Sequence, residues 1–268
     1  MRLPLGPKIG CEILIDREST LACVDRIKGP IQDYTRTWML SDATNAYGVR
    51  LGFTSGVQFW IVGRAGVLGN CPPEVASAAI AFEPLDIVSK AWGAVPDNLT
   101  HYEVALHYAG RVIDWGEGAF AKKDPDVLEA INVLGRHVVD AAPAAIGVLF
   151  AGWRQLGPPQ TQAGRAALVL HLLRELRGAA HIAAVIACGL TPVDAIIAAP
   201  HPPPRTGHTY AEKMGHRGPF RNPEEVRQQR MEAERLTSAL LVPHFNSLSA
   251  ADLTTLGDAI ETCCALTR

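Results

Sequence analysis

Paired cysteines are missing from this sequence. Its six cysteines, Cys11, Cys23, Cys71, Cys188, Cys263 and Cys264, form no CxxC pair. That excludes a zinc ribbon and argues against a disulfide scaffold, leaving reduced thiols in a cytoplasmic protein as the plain reading. Long apolar runs are missing too. No stretch of about 18 apolar residues occurs, so no membrane span is expected, and the opening MRLPLGPKIG lacks the apolar segment of a secretory signal. A basic excess is the third absence. The net charge is −2, whereas a nucleic-acid binder usually carries a basic surplus or a basic face. DNA is therefore the less expected partner, although a local basic face stays open.

The familiar cofactor cassettes are also lacking. There is no Gly-x-Ser-x-Gly elbow, no phosphate-binding GxxxxGK[ST] loop and no HExxH. Gly63–Gly69 is rich in glycine but lacks the strand before it and the helix after it that a dinucleotide site requires. His201, His208 and His216 match no zinc spacing, and on a helix His101 and His107 fall on different faces. No metal and no cofactor are expected.

Apolar residues make up 48% of the 268 and charged ones only 19%, enough for a real core and too little charge for disorder. Nineteen arginines against six lysines read as the imprint of a GC-rich genome. Helical signals dominate. Ser41-Asp42 caps a helix, and Pro72-Pro73-Glu74 opens one, since proline suits a first turn and an acid suits its positive end. Asp124-Pro125 opens another that Pro143 ends. Pro223-Glu224-Glu225 begins a charged helix to about Leu241, and Ser249 to Asp252 caps the last. Residues 11–24 suggest a short hairpin or an arm, and 242–248 a short strand or wing.

The stretch 163–199 carries the most information. A leucine-striped helix meets Gly178, a second helix runs from about His181 to Gly189, and Thr191-Pro192-Val193-Asp194 opens a third. Two such junctions predict a helix-turn-helix or winged-helix core. The expected fold is mainly α, two helical winged-helix-like units with little β structure. The units divide as 1–155, with an N-terminal arm, and 156–268.

Some polar residues stand out against this apolar ground. Arg64 must be paired or face a cavity. It is either an anion clamp or half of an internal ion pair with Glu83 or Asp86. Glu83, before Pro84, suits a general base or a structural pair equally. Glu175, Arg177 and His181 cluster near one junction, where the histidine either titrates or sits satisfied in the core. Asp194 reads as a cap. Arg217, Arg221, Arg227 and Arg230 alternate with acids, the pattern of a solvated, salt-bridged surface.

Three segments together resemble an actinobacterial family of helix-turn-helix or winged-helix-like proteins: FWIVGRAGVLG (59–69), Ala81-Phe82-Glu83-Pro84, and LLRELRGAAHIAAVIACGLTPVDAII (172–197). The ordered spacing covers roughly 40–265. The family block usually reads Glu-His-Arg-Gly-Asp-Gly-His. Here it is Glu175-Leu176-Arg177-Gly178-Ala179-Ala180-His181, which implies a remodelled pocket. The resemblance implies a role in specialised metabolism and a paralogous subunit or a second copy as partner.

The expected activity is acid–base, elimination or cyclisation chemistry on a small metabolite in a cleft between the units. Glu83, His181 and Glu175 are the candidate catalytic groups. Arg64, Arg177, Trp92 and Arg217 are the candidate substrate-binding groups. A DNA-binding regulator and a non-catalytic metabolite binder are the alternatives. Against the regulator, the would-be recognition helix TPVDAIIAAP offers no Arg, Lys, Asn or Gln to read bases.

Overall fold

The structure is a computed structural model that describes residues 9–39 and 41–265, with side chains from residue 17 onward. Helix is the regular structure of the described residues, with no strand among them. Helix α1 runs Ile9–Met39, so the stretch read as a hairpin or arm is the first half of a long helix. Its apolar runs were too short to separate strand from helix. Its buried residues Cys23, Val24, Ile27, Ile31, Tyr34 and Trp38 recur at three and four, which is one helical face.

Helices α2 (Asp42–Arg50), α3 (Gly56–Ala65), α4 (Pro73–Ile80) and α5 (Leu85–Trp92) follow, and then the long α6 (His101–Phe120). Pro125–Ala141 is one helical stretch, α7 and α8, joined by a π turn at Ile131–Gly135. Next come α9 (Val148–Trp153) and α10 (Gln162–Ala187). Helices α11 (Pro192–Ile197), α12 (Gly207–Lys213), α13 (Pro223–Phe245) and α14 (Ala250–Cys264) complete the chain. Val242–Phe245 finishes α13, so the stretch read as a strand or wing is helix.

Helix α10 is the axis of the molecule. It packs on α1, α6, α9 and α13, and buried residues run along it from Gly164 to Val185. A helix apolar on nearly every side belongs inside a protein. Gly178 does not break it. Of the two expected junctions only the second exists. There Gly189 takes φ +71°, Leu190 N–H donates to the Val185 carbonyl at 3.1 Å, and Thr191 and Asp194 cap each other to start α11. Such a left-handed glycine stop followed by a capping box is a strong local signal.

The glycines around Arg64 have a packing role. A Cβ on Gly63 would lie 2.6 Å from the Tyr108 side chain, and one on Gly66 would lie 2.1 Å from the His101 carbonyl oxygen. They let α3 cross α6 closely, and that crossing carries Arg64 inward toward α10. The main core draws on residues from Cys23 to Cys264. Two satellite clusters lie around α11, and Phe82 packs against both.

Candidate functional site

Arg64, at the inner end of α3, is 8% exposed. Its Nε donates to Glu175 Oε1 at 2.9 Å and its second terminal nitrogen to Oε2 at 3.0 Å. This is a bidentate fork on a carboxylate carried by α10, 1% exposed. Arg174 donates to the same Oε1 at 2.5 Å, so Glu175 accepts from two guanidiniums. Burial pushes its carboxyl up, but the two cations outweigh that and hold it down at about 2. Arg64 is thus paired, as its surroundings demanded, and the partner is Glu175 rather than Glu83 or Asp86.

Beside this pair lie four packed rings. Trp38 sits 5.0 Å from Tyr108 and 5.8 Å from His171; Trp153 sits 4.2 Å from His171 and 6.1 Å from Tyr108. Trp153 donates its indole N–H to the Arg64 carbonyl at 2.9 Å. Among the described residues, the Trp38 indole nitrogen, the Tyr108 hydroxyl and both His171 ring nitrogens have no partner. Burial drives His171 down to about 3 and keeps it neutral. Sequence reading missed Arg174, His171, Tyr108 and Trp38, because inside apolar helices they look like ordinary core.

Glu83 enters from the turn between α4 and α5. Ala81 has φ +66°, ψ −41°, and Phe82 N–H donates to the Ile80 carbonyl at 2.9 Å. Together these make a γ-turn of the strained hand, costly for alanine. The turn aims Phe82 at the satellite clusters and leaves Glu83 half-buried, within electrostatic reach of Arg64. Glu83 has no hydrogen bond to any described residue. Burial raises its carboxyl to about 7 against the opposing pull of Arg64.

His181 stacks on Phe82 at 5.7 Å. The Thr237 hydroxyl is spent on the Ala233 carbonyl at 2.6 Å, so His181 Nδ1 donates to Thr237 Oγ1 at 2.9 Å, which leaves the Nε2 lone pair free. Burial lowers this histidine to about 4. Arg177 and Arg230 both bond Glu234 at 2.6 Å, 4.0 Å from His181 Nε2. The fold therefore brings Arg64 and Glu175 into direct contact with Glu83 nearby, and sets His181 and Arg177 on an adjoining network.

Trp92 and Arg217 lie apart. Trp92 packs on His101 at 4.1 Å, donates to the Cys71 carbonyl at 2.8 Å and lines an open cleft of about 400 Å³ with Asn70, Asp97 and His101. Arg217 is 89% exposed at its side chain and 3.8 Å from Asp86. The histidines weighed as metal ligands are already bonded, His101 to the Trp92 carbonyl and His107 to the Tyr47 hydroxyl. His201 donates to the Ile196 carbonyl, His208 to that of Arg221 and His216 to that of Phe82. Among the described residues no helix is long and apolar enough to cross a membrane.

An all-helical protein built around one buried helix, with a helix–turn–helix at that helix's end and a charged cluster inside, is the class these features define. A family model described as a helix-turn-helix family matches residues 26–267, and the chain belongs to that family. No curated protein and no solved structure matches the chain.

Proposed function

We propose that this protein acts on a small metabolite by acid–base chemistry. The reaction site lies where α3 and the 81–84 turn meet α10, between the proposed units 1–155 and 156–268. One observation carries the reading: Glu83 is a half-buried carboxyl without a hydrogen-bond partner among the described residues, held near neutrality beside a fixed arginine. A proton carrier works best when its pKa lies near the working pH. On that criterion Glu83, at about 7, is better matched than His181, at about 4, or Glu175, at about 2. Glu83 then moves the proton, Glu175 positions Arg64, and Arg64 faces charge that develops on the substrate. His181 steadies Phe82 and the turn that bears Glu83. Elimination and ring closure fit these roles. The actinobacterial resemblance supports a substrate from specialised metabolism, with a paralogous subunit or a second copy as partner.

The test is a mass-spectrometric turnover screen of small metabolites with wild type and Glu83→Gln side by side. Conversion that falls about 10²–10⁴-fold in the variant is expected. Conversion untouched by the substitution contradicts the assignment.

DNA binding is the second reading, favoured by the family's description. Helix α11 speaks against it. It has six residues, of which Asp194, Ala195, Ile196 and Ile197 are buried, so it presents no face to a groove. Exposed Arg205, Lys213, Arg217 and Arg221 follow it and offer phosphate contacts without base readout. Fluorescence anisotropy with duplex DNA from the protein's own locus, against a scrambled duplex over a salt series, separates the two. No sequence-selective binding is expected. Selective binding that weakens steeply with salt would establish the regulator.

A further inference from the structure

The cluster inside the molecule is unbalanced in two ways. Arg64 and Arg174 bring two positive charges, and Glu175 returns one negative charge to both. Glu175 Oε1 accepts two N–H bonds and Oε2 one, and neither oxygen is bonded by His171, Tyr108 or Trp38. Next to it, the Trp38 indole, the Tyr108 hydroxyl and the His171 ring present hydrogen-bonding atoms that nothing among the described residues satisfies. Tyr108 and His171 are fully buried, and His171 Nε2 stands 3.9 Å from Glu175 Oε1. Buried polar atoms are nearly always bonded, and each orphan costs about 1–3 kcal/mol. Several of them on mutually packed rings, beside a positive surplus, are an expensive arrangement for a core that serves only as a core.

The donor inventory says what would satisfy it. An indole N–H only donates, a phenol donates readily, and a neutral imidazole donates from one nitrogen. The surplus guanidinium also donates. A carboxylate fits this set, since it accepts through two oxygens, donates nothing and carries the missing negative charge. An ammonium group would meet two cations, and a neutral amide would leave the surplus charge in place. The guanidinium end is the least enclosed part of the cluster: the Arg174 side chain is 24% exposed, and a Cβ on Gly178 would meet only the Arg64 guanidinium, at 3.7 Å.

We infer that Arg174, Tyr108, His171 and Trp38 form a carboxylate-binding subsite, and that the substrate is a small carboxylic acid anchored there while its reacting end lies toward Glu83. This rests on the acid–base reading for the identity of the reacting end, but the subsite itself is tested by binding alone.

The experiment is calorimetric titration at fixed ionic strength and pH 6 with acetate, butyrate and benzoate, and with the three matching primary amides. Wild type should bind at least one carboxylate and none of the amides. Arg174→Gln should lose that binding. Tyr108→Phe is the decisive variant, since it removes one orphan hydroxyl and nothing else. It should melt at the same or a higher temperature, because a buried unsatisfied group is gone, yet bind the carboxylate about tenfold more weakly for the lost hydrogen bond. Tyr108→Phe that gains stability with affinity unchanged overturns the inference, for the hydroxyl then meets water only. Failure of every carboxylate to bind wild type, or equal binding of the amides, overturns it as well. None of these results depends on Glu83, whose own titration tests the acid–base reading separately.

Discussion

Glu175 accepts three N–H bonds from two arginines while 1% exposed, so its loss strands two cations inside the protein. Breaking a buried pair from one side costs about 3–5 kcal/mol. Glu175→Ala should lose about that much in urea unfolding, far more than an exposed pair such as Arg235 with Glu232 would lose. Glu83 has the opposite character. Its proton is held more tightly in the folded chain, at about 7 against an ordinary 4.5. Its contribution to stability is therefore complete below pH 4.5 and is lost as the pH rises through 7. Glu83→Gln should remove this slope, so that the stability of wild type relative to the variant falls from about pH 5 to pH 7 and levels off above it; parallel slopes would contradict the buried, proton-holding carboxyl. Arg64 was legible in the sequence as a charge among apolar residues. Its partner was not, because Glu175 lies 111 positions away and local spacing carries no such information. Arg174, Tyr108 and His171 were hidden for a related reason. On a helix buried on nearly every side, a polar residue does not disturb the pattern that marks the helix.

Helix boundaries with side-chain capping signals were readable, and of the two read from glycine the stop at Gly189 holds while the break at Gly178 does not. Ser41, Asp124, Thr191 and Ser249 all cap helices through their side chains, as their residue types foretold. Gly178 misled because glycine stops a helix only when the chain takes up the left-handed turn, as Gly189 does at φ +71° and Gly178 does not. Since α10 is continuous, Gly178→Ala should stabilise the protein by about 0.5–1 kcal/mol. The added methyl would meet only the Arg64 guanidinium at an ordinary 3.7 Å. Destabilisation in a denaturant titration would mean that the helix bends or breaks there. The turn at Ala81 could not be anticipated at all, as no composition rule places alanine at positive φ. That turn delivers Phe82 and Glu83 together, and it links the satellite clusters around α11 to the neighbourhood of Arg64.

At the scale of the whole molecule, several charges outside the central cluster are spent on one another. Arg26 joins Glu261 and Asp258, Arg136 joins Asp140, and Arg230 joins Glu234. The helix-turn-helix is packed inside the molecule through the satellite clusters, with α11 against α12 and α13. The unusual electrostatics sit inside, where α3, α6 and α10 converge with the Glu83 turn. A family's helix-turn-helix description thus names an architecture, and the chemistry is a matter of the residues placed on it. The most direct measurement is the titration of the Glu83 carboxyl by carbon-13 NMR, assigned by comparison with Glu83→Gln. A midpoint near 7 is expected. A midpoint at the ordinary 4.5 would leave the site without a proton carrier suited to neutral pH and would contradict the acid–base function.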